Sequence, residues 1–443
     1  MVNEKNVLIK NQSEFHDTDA NSSHFLLRNR DTVSNAIKKG KKRLEWAKTH
    51  MPVLSEIRER MVKGKSLENV KIGMALHVEA KTGVLALTLK EAGAEVRLAS
   101  CNPLSTDDSV AMALNDIGLE TFAKKGETEA EYYQNLNKVA DLKPDLIIDD
   151  GCDLIFLVHT KRKEFLSNVK GANEETTTGV VRLKAMEKDG ALKFPVIAVN
   201  NAYMKYLFDN RYGTGQSTMD GIMTGTNLLI SGKKFVVAGY GWCGRGIAMR
   251  ARGMGANIAV TEIDPVKAIE AKLDGFDVMP MMEACSHADF IVSSTGCKDV
   301  ISEKHFDVIK DGCVLANSGH FDCEISKEAL DKNSISRKKV REYVDEYKLK
   351  NGKSVYLLGE ARLVNLSVGQ GHPVEIMDMS FSVQALCTEY LVKNSQNMEN
   401  RVYDVPSEID SEIAEAELRA MNVKIDELTK EQKEYLSSWR SGT

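Results

Sequence analysis

The segment Phe235–Gly246, FVVAGYGWCGRG, constrains the fold more than any other part of the chain. An apolar run ends in Gly239, Gly241 and Gly244, spaced GxGxxG, and a helical pattern follows. In a strand–turn–helix unit each glycine has its own reason. Gly239 permits the tight turn, Gly241 lets the backbone approach a pyrophosphate, and Gly244 lets helix and strand pack closely. The start of the helix then offers unpaired N–H groups to phosphate oxygens. The next β-branched run, Asn257–Thr261, leads into Glu262. A carboxylate there accepts hydrogen bonds from an adenosine ribose diol and repels a 2′-phosphate, so the pattern predicts NAD rather than NADP. Trp242 and Cys243, inside the fingerprint, are further cofactor-side candidates.

Around this unit the chain reads as α/β. Short β-branched runs alternate with amphipathic stretches at Val70–Leu76, Ala94–Ser100, Asp145–Asp149 and Pro195–Asn200. A second series runs through Phe235–Ala238, Asn257–Thr261, Phe290–Ser293, Cys313–Ala316 and Val355–Leu358. Strand alternating with helix predicts a parallel, doubly wound sheet. The expectation is therefore two Rossmann-like domains with a cleft between them, and a C-terminal helical arm. Residues 1–30, polar and aperiodic, read as a flexible arm, with helical patterns from Ser34. A substrate domain spans 31–214 and is completed by 374–408, a cofactor domain spans 215–373, and a helical arm covers 409–443.

Composition excludes several classes. Lys and Arg number 59 against 64 Asp and Glu, a net charge of −5, which argues against a nucleic-acid binder. No apolar run reaches the ~18 residues of a membrane span. The N-terminus lacks the apolar core of a signal peptide, and a cytoplasmic protein is expected. The eight cysteines form no CxxC, so neither a metal site nor a disulfide framework is expected, and they read as reduced core residues.

Five further segments carry a more specific signal: SCNPLSTDD (Ser100–Asp108), LIIDDGCDL (Leu146–Leu154), GANEETTTGVVRL (Gly171–Leu183), NSGHFDCEI (Asn317–Ile325) and LVNLSVGQGHP (Leu363–Pro373). Together they resemble the S-adenosyl-L-homocysteine hydrolase family, collinearly from about residue 35 to the end. The resemblance implies a hydrolase that works through a redox detour. The ribose 3′-hydroxyl is oxidised by bound NAD, the ketone acidifies the C4′ proton, homocysteine leaves as a thiolate, water adds, and the hydride returns. A thioether, resistant to direct hydrolysis, becomes a leaving group beta to a carbanion.

The resemblance also implies roles. Asp150 is the base for C4′. Glu175, Lys205 and Asp209 grip the 2′- and 3′-hydroxyls, with Lys205, its pKa lowered by burial, moving the hydroxyl proton. His77 serves the 5′ side, and His320 lies near the reacting ribose. Thr176, Thr177, Thr178, Asn210, Glu262, Asn317 and Asn365 match cofactor contacts. His372 matches the residue whose backbone reads the purine and gates the cleft. Ser105, Asp107, Met377 and Phe381 complete the substrate-side candidates. A homotetramer is implied as well.

The chain departs from the family pattern at four places. After His77 the usual HxTxE reads His-Val-Glu-Ala-Lys, so Glu79 replaces a hydroxyl and Lys81 replaces a carboxylate. Thr214 stands where a cysteine is common. The tail ends at Trp439–Thr443 without the family's Lys/Tyr ending, which puts a cross-subunit cofactor contact in doubt. Lys267, a cofactor-side candidate, stands where an asparagine is usual. The first departure has a chemical meaning. Adenine accepts at N1 and donates from its 6-amine, whereas hypoxanthine donates from N1 and accepts at O6. Glu79 and Lys81 complement hypoxanthine, which predicts preference for S-inosyl-L-homocysteine. In the alternative the two side chains pair with each other. Adenine specificity, a simple dehydrogenase and a non-catalytic NAD-binding paralogue remain as rival readings, the last without any loss at His77, Asp150, Glu175, Lys205 or Asp209 to support it.

Overall fold

The computed structural model describes the backbone of residues 18–440 and the side chains of residues 31–440. The first six strands are β1 (Lys71–Ala75), β2 (Glu95–Ala99), β3 (Glu120–Phe122), β4 (Leu146–Asp149), β5 (Gly171–Glu174) and β6 (Val196–Ala198). Eight more follow: β7 (Lys234–Ala238), β8 (Asn257–Thr261), β9 (Asp277–Val278), β10 (Phe290–Ser293), β11 (Cys313–Asn317), β12 (Ser334–Arg341), β13 (Val344–Leu349) and β14 (Ser354–Leu358). The last is β15 (Val402–Asp404).

They form two sheets. The first has the order β15-β6-β5-β4-β1-β2-β3 and is parallel throughout. The second has the order β12-β13-β14-β11-β10-β7-β8-β9, and only its β12–β13–β14 edge is antiparallel. Central strands are covered on both faces, which is why β1, β4, β7 and β10 read as near-continuous apolar runs rather than alternating ones. β15 returns to the first sheet after the whole second sheet has been built, so the second unit is inserted into the first.

This topology dictates where a ligand can sit. Strand order reverses beside β1 in the first sheet and beside β7 in the second. Carboxyl ends of neighbouring strands diverge at such switch points and leave a crevice. His77 follows β1 and Asp150 follows β4, its neighbour; Gly239 follows β7.

Several elements differ from expectation. The first helix runs Thr18–Thr49, so residues 18–30 are helical rather than an aperiodic arm. No Gly or Pro interrupts the stretch before Gly40, so a helix extends back through polar residues. The remainder of the expected arm, residues 1–17, and the tail residues 441–443 lie outside the described residues. The helix Val374–Asn394 does belong to the first unit, as expected for 374–408, with Met377–Thr388 buried and packed against the first sheet. Of the expected helical arm, Ser407–Ala420 buries Ile409, Ile413 and Ala416 in the first core, whereas Lys430–Ser437 buries nothing. Cys297 and Cys323 are exposed and Cys243 is half-buried, so only five of the eight cysteines are core residues. Among the described residues no helix is long and apolar enough to cross a membrane.

Candidate active site

A cavity of about 1550 Å³ opens between the carboxyl ends of the two sheets. Its lining comes from both: His77, Asp150, Glu175, Lys205 and Asp209 on one side, Gly239, Gly241, Glu262, His320 and Asn365 on the other.

Two imidazoles address one carboxylate. Nε2 of His77 lies 3.3 Å from Oδ2 of Asp150, and Nδ1 of His320 lies 3.5 Å from Oδ1. Nδ1 of His77 meets the Ser105 hydroxyl at 2.7 Å, so Ser105 orients the ring from behind. Burial pushes the His77 pKa down to about 4, although Asp150 opposes it, so this imidazole is neutral around pH 7. The ligand atoms of His77, Asp150 and His320 fall within 4.8 Å of one another, a spacing that also suits a metal ion. Their pairing with opposite oxygens of one carboxylate equally suits proton transfer.

The second set is built by a change of helical pitch. The turn Tyr203–Lys205 continues as the wide π-helix Tyr206–Gly213. Widened turns of this kind recur at functional sites. Here the Lys205 ammonium donates to Asp209 at 2.9 Å and to Asn210 at 2.8 Å, and lies 3.5 Å from Oε1 of Glu175. The expectation of a lowered Lys205 pKa is corrected. Burial does favour the neutral amine, but Asp209 and Glu175 outweigh it and raise the pKa above the ordinary lysine value. Asp209 moves the opposite way, held far below the carboxylate range by Lys205 in spite of its burial. Burial, reinforced by Asp209 and Asp150 and opposed by Lys205, pushes Glu175 up to about 8. Oε1 of Glu175 is buried without a hydrogen bond beside the cavity, the Lys205 ammonium being its nearest partner.

The cofactor half meets the demands of the dinucleotide. A side chain at Gly244 would overlap the Gly239 carbonyl oxygen, whereas one at Gly241 would project into open space, the cradle a pyrophosphate needs. Gly239 has φ +93°, within the region that glycine favours. Glu262 receives the N–H groups of Tyr240, Ile263 and Asp264, which fix its carboxylate at the cavity wall. Oδ1 of Asn365 is buried without a partner and lines the cavity, as a carboxamide ligand requires. Thr176, Thr177, Thr178, Asn210, Trp242, Cys243 and Lys267 line it too.

Four candidates are placed differently. Asp107 does not line the cavity: it caps the helix Asp108–Asp116 through Ser109 and pairs with Arg43, which uses its carboxylate. Asn317 is spent internally, its amide donating to the carbonyls of Gly319, Phe321 and Ala361, so it braces the loop that carries His320. Ser105 acts through His77. The Lys81 ammonium contacts Oε2 of Glu79 at 2.7 Å and the Gln370 carbonyl at 3.2 Å, so the two exchanged residues do pair. Oε1 of Glu79 takes no hydrogen bond from the described residues, and Glu79 lines the cavity with Met377, Phe381 and His372.

Two supporting residues escaped the sequence reading. Gln384 donates to Glu175 at 2.5 Å, and Ser380 donates to Asp209 at 2.9 Å. Their signal was a run of polar residues, Asp378, Ser380, Ser382 and Gln384, inside an otherwise apolar helix.

Two doubly wound units facing one cavity, one with a dinucleotide turn and the other with a proton-transfer set, define a nucleotide-dependent enzyme. The family model described as "S-adenosyl-L-homocysteine hydrolase" matches residues 31–167, and that for its "NAD binding domain" matches residues 210–371. The S-inosyl-L-homocysteine hydrolase of Methanocaldococcus jannaschii is 59% identical over 92% of this chain and 98% of its own. The adenosylhomocysteinase of Thermoplasma volcanium is 58% identical over 91% and 99%, and the S-inosyl-L-homocysteine hydrolase of Methanococcus maripaludis is 56% identical over 91% and 97%. The chain belongs to the S-adenosyl-L-homocysteine hydrolase family. It is a hydrolase, and its cofactor is NAD.

Proposed function

We propose that this enzyme hydrolyses S-inosyl-L-homocysteine reversibly to inosine and L-homocysteine. The observation that carries the choice of base is Glu79 at the cavity wall, with the buried Lys81 ammonium paired to it. Pairing does not exhaust either side chain. An ammonium has three N–H donors, and Glu79 and Gln370 take two of them. The third is available to O6 of hypoxanthine, and the free Oε1 of Glu79 to N1–H. Adenine would set acceptor against acceptor and donor against donor, each mismatch costing roughly 1–3 kcal/mol when buried. The high identity to S-inosyl-L-homocysteine hydrolases supports this base. A second reading, adenine specificity, has the similar identity of the Thermoplasma volcanium relative in its favour.

The residues divide the work as follows. Bound NAD supplies a reversible two-electron oxidation at the ribose 3′ carbon. Glu175, Lys205 and Asp209 hold the 2′- and 3′-hydroxyls. Lys205 and Asp209 are locked as an ion pair, so the mobile proton of this set resides on Glu175, the member poised nearest neutrality. Asp150 removes the C4′ proton once the neighbouring carbon is a ketone, and the thiolate departs from C5′. His77, neutral and held by Ser105, accepts a proton from the water that adds there. His320 steadies Asp150 from its other oxygen.

The protein is further proposed to work in the cytoplasm as a homo-oligomer, a tetramer as in the resemblance. Val423, Ile425, Leu436 and Trp439 are exposed on the single chain and supply apolar surface for a neighbour. Light scattering on purified protein tests the assembly. The function is tested by giving purified enzyme each thioether without added cofactor and measuring free thiol. Release of homocysteine from the inosyl compound with kcat/KM about a hundredfold above the adenosyl compound is expected. Equal rates, or preference for adenine, would overturn the assignment of the base.

A further inference from the structure

Residues 367–372 form a strap that runs from next to Leu366 to His372, two residues that line the cavity. Its backbone is held asymmetrically. The N–H groups of residues 367–371 turn toward the second unit: Ser367 to Leu363, Val368 and Gly369 to Val364, Gln370 to the Asp220 carboxylate and Gly371 to Asn365. Two of its carbonyls turn toward the first unit and meet ammonium groups. Lys81 donates to the Gln370 carbonyl at 3.2 Å, and Lys125 donates to the Ser367 carbonyl at 3.1 Å. The Gln370 residue is thus gripped through its N–H by one unit and through its C=O by the other.

Both lysines are set in place by their own surroundings. Lys81 is buried, and a Cβ built at Gly371 would lie 3.4 Å from its Nζ, so strap and ammonium are in close contact. Lys125 sits on the β3–Glu129 loop. Its N–H is fixed by Asp108 at 2.8 Å, and the next residue, Gly126, donates to Pro103. Its ammonium also lies 5.3 Å from the centre of the Tyr343 ring in the second unit. Ser367 ends the short helix Val364–Ser367, and a cation at its terminal carbonyl is favourable. At its far end the strap reaches the ribose-gripping set, since His372 Nε2 lies 3.3 Å from Asp209 and Nδ1 lies 3.0 Å from Ser217.

We propose that Lys81 and Lys125 are positioning residues that clasp the strap from the substrate side, so that occupation of the base pocket and closure of the strap stabilise each other. The substrate part of this inference rests on the hydrolase reading above. Lys81 is the element that links the two events, because its ammonium holds both the Gln370 carbonyl and the carboxylate of Glu79, which lines the cavity where the base is proposed to sit. Lys125 is the independent half of the clasp and does not itself line the cavity.

Lys125→Met and Lys125→Arg, both loaded with NAD, test the idea. Removing one charge-assisted hydrogen bond should raise KM for the thioether nucleoside about tenfold and leave kcat within about twofold, with arginine restoring most of the loss. Hydrogen exchange at the amides of residues 368–371 should slow when inosine binds the native protein and slow much less in Lys125→Met, while exchange in β7 stays unchanged. Unaltered KM with native strap exchange in Lys125→Met would overturn the clasp, as would a loss confined to kcat. If the native enzyme turns over neither thioether, the hydrolase reading fails, and strap exchange with and without inosine still decides whether Lys125 holds the strap.

Discussion

The His320 imidazole occupies the space that a side chain at Gly151 would need. A Cβ added at Gly151 would overlap Nε2 of His320 and stand 3.0 Å from its Cδ2. Gly151 also has φ +106°, a backbone setting that other residues adopt only with strain. The residue after Asp150 is therefore a glycine so that a histidine from the second unit can reach Asp150. Gly151→Ala should move the ring by a fraction of an ångström to an ångström and lower kcat by about 10²-fold. NAD content, measured after denaturation, should stay near the native level, because the dinucleotide turn is on other strands. Native kcat in this variant would show that His320 does not need its observed position.

Asp150→Asn separates the halves of the reaction. The ribose-gripping set is untouched, so adding nucleoside should still generate the absorbance of reduced nicotinamide. Thiol release should fall by about 10²–10⁴-fold, the usual span for a lost general base. Absence of the absorbance change with nucleoside binding intact would assign Asp150 to the oxidation instead.

The three fingerprint glycines should fail in different ways. Gly241 has φ −71°, and a side chain there meets no protein atom. Gly241→Val should carry no NAD, because the branched side chain fills the cradle, and should melt at the temperature of native protein stripped of NAD. Gly244→Ala drives a methyl into the Gly239 carbonyl and should lower the melting temperature itself. Native protein should release nicotinamide dinucleotide on denaturation. A Gly241→Val protein with a full complement of NAD would refute the cradle.

Glu175 gives a pH signature. Its folded pKa of about 8 lies above the ordinary value of 4.5, with burial the main cause. The neutral carboxyl is thus favoured in the folded protein. Its contribution to stability is complete below about pH 4.5, the unfolded value, and is lost as pH rises through about 8. Glu175→Gln keeps a neutral group of similar shape. The melting temperature of this variant relative to native protein, both without substrate, should climb between pH 4.5 and 8 and level off above. A constant difference across that window would mean that Glu175 is ionised throughout.

The fold class and most strands were legible because central parallel strands announce themselves as apolar runs. β5 was not, since Gly171–Glu174 is built of small and polar residues whose burial depends on neighbours far away in sequence. The return of the chain to the first unit after residue 374 was expected, but the pairing of β15 with β6 at the edge of the first sheet was not, since Val402–Asp404 is only three residues long. Resemblance brought Asp150, Glu175, Lys205 and Asp209 onto one list, but the sense of the Lys205 shift depends on two carboxylates within 3.5 Å: Asp209 stands at a helical i,i+4 spacing, whereas no spacing in the sequence reveals Glu175 or the burial that draws all three together. Asp107 and Asn317 illustrate the same limit. Each carries suitable chemistry, and each has its polar atoms taken by a cap or a loop.

The sharpest test lies at positions 79 and 81. Glu79 also caps the helix Ala80–Glu91, its Oε2 accepting the Lys81 N–H at 3.1 Å, so the replacement must keep a capping oxygen. Threonine does, which makes Glu79→Thr a mild change for the helix. Glu79→Thr with Lys81→Glu should offer a hydroxyl donor to adenine N1 and a carboxylate to its 6-amine, the inverse of the native pair. The double variant should therefore shift kcat/KM toward the adenosyl thioether by about a hundredfold or more relative to the native ratio, with two hydrogen bonds exchanged. It should also lose the Gln370 contact, since a carboxylate cannot donate to a carbonyl, and so show a raised KM for both nucleosides. Either single change leaves one matched and one mismatched contact and should bring the two substrates closer together. An unchanged preference in the double variant would mean that the base is selected elsewhere in the cavity.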